Sequence, residues 1–205
     1  MTLSKGTLKD GRTWRTHLIM GRHVRVIDDW ENAMLIDELA HDKMFSNDEK
    51  TSIVMAMVFP DPKAFMRAFG DDAGAAFTCV MNDAFCMDIS GCSERAEHVI
   101  DWEQDAARIR ATMRMAYGLG DEYTTLPYME VCELIGMSPH ETPMGQALYY
   151  RTAERPEETD WNRKEVESFD ECKEYYALET DDVQSSNDRS MDELAQIKEQ
   201  LKWQE

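Results

Sequence analysis

The sequence predicts a mainly α protein, a helical bundle with a short N-terminal β-hairpin. Apolar residues recur at helical spacing between marked starts and stops along most of the chain. Alternation is confined to two runs, residues 13–19 and 23–27, on either side of Met20-Gly21-Arg22. With 205 residues and a 42% hydrophobic fraction, the chain can bury one domain and still carry tails.

Residues 1–12 are polar and contain Gly6 and Gly11 with no apolar period, which predicts a loose leader. After the hairpin, Asp28 or Asp29 is placed to cap a helix bearing Trp30, Met34, Leu35 and Leu39. Ser46-Asn47-Asp48-Glu49 starts a second helix, with Ile53, Val54, Met57 and Val58, that Phe59-Pro60 stops. Asp61-Pro62 restarts one with proline at its first position, carrying Phe65, Met66 and Phe69 up to Gly70. Residues 72–87 come next, with a stripe of Phe77, Val80, Met81, Ala84 and Phe85.

Residues 88–99 mix Gly, Ser and charge without a period and read as a linker. The clearest helix spans 101–117, with Trp102, Ile109, Met113 and Ala116 on or beside one face and Gly118 as its stop. Leu126-Pro127 opens another through Val131, Leu134 and Ile135 to Gly136. Thr142-Pro143 opens the next, through Ala147, Leu148 and Tyr149. A last charged helix covers 161–178, with Val166, Phe169, Tyr175 and Tyr176 available for packing. Residues 179–205 form an acidic flexible tail in which Leu194, Ile197 and Leu201 mark a terminal helix. The expected organisation is thus a leader (1–12), a helical domain (13–178) divisible at 88–99, and that tail.

There are 41 Asp and Glu against 22 Lys and Arg, a formal net charge of −19. A protein that tracks phosphates needs a basic face to displace counterions, so this balance argues against nucleic acid as a partner. It argues equally against adhesion to an anionic membrane surface. No apolar run approaches the roughly 20 residues that span a bilayer. Met1-Thr2-Leu3-Ser4-Lys5-Gly6 lacks the apolar core of a secretory signal. Five cysteines without paired spacing fit reduced thiols in a cytoplasm better than a disulfide framework.

No motif for catalysis emerges. G-x-S-x-G, the P-loop, G-x-G-x-x-G and H-E-x-x-H are all absent, and His17, His23, His41, His98 and His140 are dispersed. Cys79, Cys86, Cys92 and His98 are spaced too widely for the tight ligand pairs of structural zinc. The expectation is a binding protein rather than an enzyme, with no metal and no cofactor. Fifteen methionines suit irregular cores and adaptable grooves alike. Candidate partner-binding residues are Met57, Phe65, Met66, Phe69 and Met113 on the helices. Tyr149-Tyr150-Arg151 reads either as an exposed aromatic-basic patch or as a core tyrosine pair with a capping arginine. Asp105, beside Trp102 and Ala106, is either an interior hydrogen-bond anchor or a solvated helix residue.

The order of several segments resembles the phage Gp15 family. Ile100-Asp101-Trp102-Glu103-Gln104-Asp105-Ala106-Ala107-Arg108-Ile109, then Ala111, then Ala116-Tyr117-Gly118, is similar to that family's acid-Ala-x-x-Ile helix ending in Tyr-Gly. Leu126, Leu134-Ile135, Thr142, Tyr150-Arg151 and Lys173-x-x-Tyr176-Ala177-Leu178 come after it in the family's order. Upstream, Gly21-Arg22-His23 before Asp28-Asp29-Trp30 is similar to its hairpin turn and helix start. The resemblance covers residues 13–178 and departs at 125–129, where the family is aromatic-rich. It implies a tail assembly chaperone of long-tailed phages, acting in the host cytoplasm. Such a protein would coat the tape-measure protein and help recruit tail-tube protein, with self-association a further expectation. A structural tail component kept in the virion, and an acidic inhibitor that mimics DNA toward a host protein, are the alternatives.

Overall fold

The computed structural model describes residues 4–87 and 99–179. Within them the chain forms a three-stranded antiparallel sheet and eight α-helices, mainly α with an N-terminal hairpin as its sequence predicts. The sheet runs β1 (Lys5–Thr7), β2 (Thr13–Ile19), β3 (Arg22–Val26), in that spatial order. β1 is an addition to the expected hairpin. The leader is not wholly loose: Lys5 pairs with Arg15 and Thr7 with Thr13, and the Ser4 hydroxyl meets that of Thr16 at 2.9 Å. Three residues give too short a run for a periodic signal.

Met20 and Gly21 close the β2–β3 hairpin with φ of 46° and 78°. Positive φ at both central residues is the two-residue turn whose twist matches the strands it joins. Gly21 carries this without cost; Met20 needs the neighbouring pairs to hold it there.

Contacts group the chain into two units, Met1–His98 with Asp105–Gln146, and Val99–Gln104 with Ala147–Glu205. The expected linker 88–99 and the expected tail 179–205 fall almost wholly outside the described residues.

The first unit holds the sheet and α1 (Trp30–His41), α2 (Asn47–Val58), α3 (Pro62–Phe69), α4 (Ala73–Phe85), α5 (Ala106–Tyr117) and α6 (Tyr128–Gly136). It also holds the start of α7 (Pro143–Thr152). The caps explain the boundaries. Asp29 accepts the Asn32 amide and starts α1, Ser46 and Glu49 form a reciprocal capping box on α2, and Asp61 accepts the Ala64 amide ahead of Pro62. α5 starts five residues later than the sequence suggests, because residues 102–105 are turn. Its Asp105 is fully buried and holds Arg108 at 2.9 Å, so it is the interior anchor rather than a solvated residue. The core collects Val26, Ile27, Val58, Phe59, Val80, Met81, Phe85, Ile109, Met113, Val131 and Ile135. Trp30 stacks on Tyr128 at 5.5 Å and meets Tyr123 edge-on. The buried Thr112 hydroxyl accepts the Met144 amide at 2.9 Å and so fixes the start of α7. Gly145 packs against the turn before α7, where a Cβ would lie 2.1 Å from the Pro139 carbonyl oxygen.

One polar centre sits among these elements. Asp28 is buried between the hairpin and α1, with Arg15 NH1 2.6 Å from one carboxylate oxygen and His17 Nε2 2.9 Å from the other. Its carbonyl accepts the Tyr128 amide at 2.7 Å, Arg15 reaches the Thr125 carbonyl, and Trp30 N–H donates to Leu126. Burial alone would push the Asp28 carboxyl up, but the hydrogen bonds from His17 and Arg15 outweigh it and hold the group below the usual carboxylate range.

Removing the Asp28 carboxylate takes from Arg15 and His17 the oxygen that each of them binds. Asp28→Ala should cost about 3 kcal/mol or more in urea denaturation. A lowered folded pKa contributes stability above the unfolded value of about 3.9, lost as the pH falls through the folded one. The gap between wild type and Asp28→Asn should therefore narrow between pH ~6 and ~3, and a gap constant over that range would show that Asp28 is not the group responsible.

Candidate partner-binding site

α2 is rich in apolar residues yet buries little. Val58 is its one fully buried residue, while Ile53, Val54, Met55 and Met57 remain half-buried. The helix ends at Phe59, which stacks on Phe65 at 4.0 Å and tilts against Phe77 at 6.2 Å. Phe65 also meets Phe69 at 4.9 Å. These rings fasten α3 by one stripe and leave the rest of it outside. Between α2, α3 and the start of α4 lies an open, largely apolar groove of about 740 Å³. Met55, Met66 and Phe77 provide its apolar lining, Lys63 and Arg67 its charge, and among the described residues no Asp or Glu lines it.

The residues anticipated from sequence divide by exposure. Met66 is 49% exposed and lines the groove. Met57 is half-buried, and its carbonyl accepts Asn32 Nδ2. Phe65 and Phe69 are buried beneath α3 and do not line this groove. Met113 is fully enclosed in the core. Lys63 and Arg67 were not singled out by sequence, while Met55 and Phe77 are among the Met and aromatic positions of residues 53–85 that it offers for a groove. The clue was available: a helix opened by Asp61-Pro62 with Lys63 and Arg67 four apart, in a chain so acidic.

Tyr149, Tyr150 and Arg151 lie in the second unit with α8 (Arg163–Tyr176). They do not share one role. Arg151 donates from Nε to the Tyr176 carbonyl at 2.6 Å and from NH1 to the Val99 carbonyl at 2.8 Å. Tyr150 stacks flat on Tyr176 at 5.5 Å and tilts against Phe169 at 5.6 Å. Tyr149 is 45% exposed. Arg151 thus binds the end of α8, Tyr150 is half-buried against Phe169 and Tyr176, and Tyr149 is the exposed member of the three.

For chemistry, three or more His, Cys, Asp or Glu do not gather into a metal-holding group anywhere among the described residues. Asp28 commits one carboxylate oxygen to Arg15 and the other to His17, an arrangement suited to holding strands rather than moving protons. Cys132 sits half-buried beside Tyr128. Burial, with smaller contributions from Cys86 and Glu133, pushes its thiol up to about 11 despite the Tyr128 hydrogen bond. No helix among the described residues is long and apolar enough to cross a membrane. Compared with protein-family models, curated proteins and solved structures, the chain matches none of them.

Two outcomes are expected from this geometry. Arg151→Met should remove both charge-assisted bonds and destabilise the second unit by about 2 kcal/mol, read by chemical denaturation. Iodoacetamide near pH 7.5 should label exposed Cys86 well before Cys132, whose thiolate fraction is negligible there. Peptide mass spectrometry of a labelling time course reads the order.

Proposed function

We propose that this protein is a tail assembly chaperone of a long-tailed phage that holds amphipathic helices of the tape-measure protein in the groove between α2, α3 and α4. The observation that carries the reading is the groove itself: apolar, methionine-lined and edged by Lys63 and Arg67 in a chain of net charge −19. Flexible thioether side chains repack around differing apolar faces, which suits a chaperone that meets many turns of one long helix. Lys63 and Arg67 favour a helix whose apolar stripe is flanked by acidic residues. The ordered resemblance to the phage Gp15 family supplies the identity of that helix and the role of tail-tube protein as the second partner. The host cytoplasm is the compartment this role requires.

Co-expression with the tape-measure protein of the same tail module tests it. The full chain should carry an otherwise insoluble tape measure into the soluble fraction and co-purify with it. Met55→Glu with Met66→Glu alters groove positions that are not fully buried, so the fold should survive, as circular dichroism can check. The pair should weaken capture by on the order of tenfold or more. If the wild-type chain neither co-purifies with the tape measure nor changes its solubility, the chaperone reading fails. Its presence in purified virions, read by mass spectrometry, would favour the structural tail component.

A further inference from the structure

β3 is an edge strand, and the hairpin geometry tells which of its peptide groups are free. In a two-residue hairpin the pair flanking the turn is hydrogen-bonded, and bonded pairs then alternate along the ladder. Ile19 pairs with Arg22, His17 with Val24 and Arg15 with Val26. Arg22, Val24 and Val26 therefore turn their N–H and C=O toward β2. His23 and Arg25 turn theirs the other way. Ile27, next in that alternation, does so too, and its N–H is taken by the Val58 carbonyl at 2.8 Å. Among the described residues, no backbone hydrogen bond reaches His23 or Arg25 on that side.

The space beyond this edge is built. A cavity of about 330 Å³ lies between Arg22–Arg25 and α3, floored by Phe59, Phe65 and Phe69. On the α3 side the wall is Ala64 and Ala68, whose small side chains leave the room. Arg22 closes one end: its guanidinium lies 5.4 Å from the Phe69 ring centre and donates to the Ala68 carbonyl. The bond from Ile27 to Val58 closes the other. The free stretch spans ~15 Å, enough for four or five extended residues.

Charge selects what can enter. Of the 22 basic and 41 acidic residues, six and one fall within the first 27 positions, which leaves 16 and 40 for the remainder. Residues 11–27 contain no Asp or Glu at all. Among the described residues Asp61 is the one acid lining the cavity, against Arg22, His23 and Arg25. A second copy pairing edge to edge would set these basic side chains opposite one another, which disfavours self-pairing. An acidic strand meets the opposite situation. Faces matter as well: Val24 and Val26 are buried on the inner face, while His23 and Arg25 are exposed on the outer one.

We propose that the free edge of β3 docks an extended acidic segment of a partner protein. That segment adds as a fourth strand, with apolar side chains over the Phe59–Phe65–Phe69 floor and carboxylates alternating beside His23 and Arg25. The site lies on the opposite side of α3 from the groove of Met66, Lys63 and Arg67, and it does not depend on the chaperone reading.

The probe is a blocked synthetic heptapeptide, Glu-Val-Glu-Phe-Glu-Val-Glu, titrated into the ¹⁵N-labelled full chain. Expected are saturable shifts at the His23 and Arg25 amides, with hydrogen exchange at both slowed at least tenfold. The same peptide N-methylated on the edge that would face β3 keeps its charge and side chains but cannot form the ladder; it should bind at least tenfold more weakly. So should a Lys-for-Glu peptide. Ala64→Trp, at an exposed position of α3, should fill the cavity and cost a similar factor. Because the peptide comparisons use the unaltered chain, they decide the matter even if that variant misfolds. Equal binding of the N-methylated peptide would overturn strand addition. Shifts that leave His23 and Arg25 untouched, or no binding at millimolar peptide, would overturn the site.

Discussion

The buried carboxylate of Asp28 is the constraint on which the first unit depends. A lone carboxylate is costly to desolvate, so its burial fixes what must surround it. Arg15 and His17 satisfy it from β2, the Tyr128 amide binds its carbonyl, and Asp29 beside it starts α1. Arg15 continues to the Thr125 carbonyl, so one side chain joins the sheet to the stretch before α6. The hairpin, α1 and α6 are therefore set by hydrogen bonds at a single residue, and the Trp30, Tyr123 and Tyr128 rings pack around the arrangement. Ion pairs that deep contribute little net stability over an apolar substitute, but they permit only one register, and a sheet of three short strands has few other means to set one.

Much of the fold was legible because caps and periodicity are local. Ser46, Asp61-Pro62, Gly70, Gly118 and Thr142-Pro143 each mark an end that the chain uses. β1 was not legible, since Lys5-Gly6-Thr7 becomes a strand only through β2. Nor was the division of labour at Asp28-Asp29: both read equally as caps, and only the tertiary position of Arg15 and His17 makes one the cap and the other the buried centre. Asp105 had two readings in the sequence, and burial chose between them. The candidate site was half legible. Methionines and phenylalanines on α2 and α3 were visible as apolar, but periodicity does not separate a floor from a lining. Phe65 and Phe69 lie under the helix, and Met66 lies outside it.

The distribution of charge separates the sheet from the rest. The hairpin strands hold arginine and histidine without acid, while the surplus of carboxylates is carried by residues 28–205. Two of those arginines lie over aromatic rings, Arg25 over Trp14 at 4.6 Å and Arg22 over Phe69. Stacking keeps a guanidinium ordered while leaving its edge able to donate. The strands thus offer fixed positive groups rather than a mobile cloud, which favours selectivity over general stickiness.

α3 has eight residues and a length of ~12 Å, yet hardly a position of it is idle. Pro62 starts it, Phe65 and Phe69 seat it, Ala64 and Ala68 keep one side hollow, and Lys63, Met66 and Arg67 line the other. In evolutionary terms such a helix has no neutral side on which drift can act. Enlarging an alanine, shortening a phenylalanine or reversing a charge is each felt by a different neighbour. The octet should therefore change slowly and in concert, while the exposed turns around it vary freely.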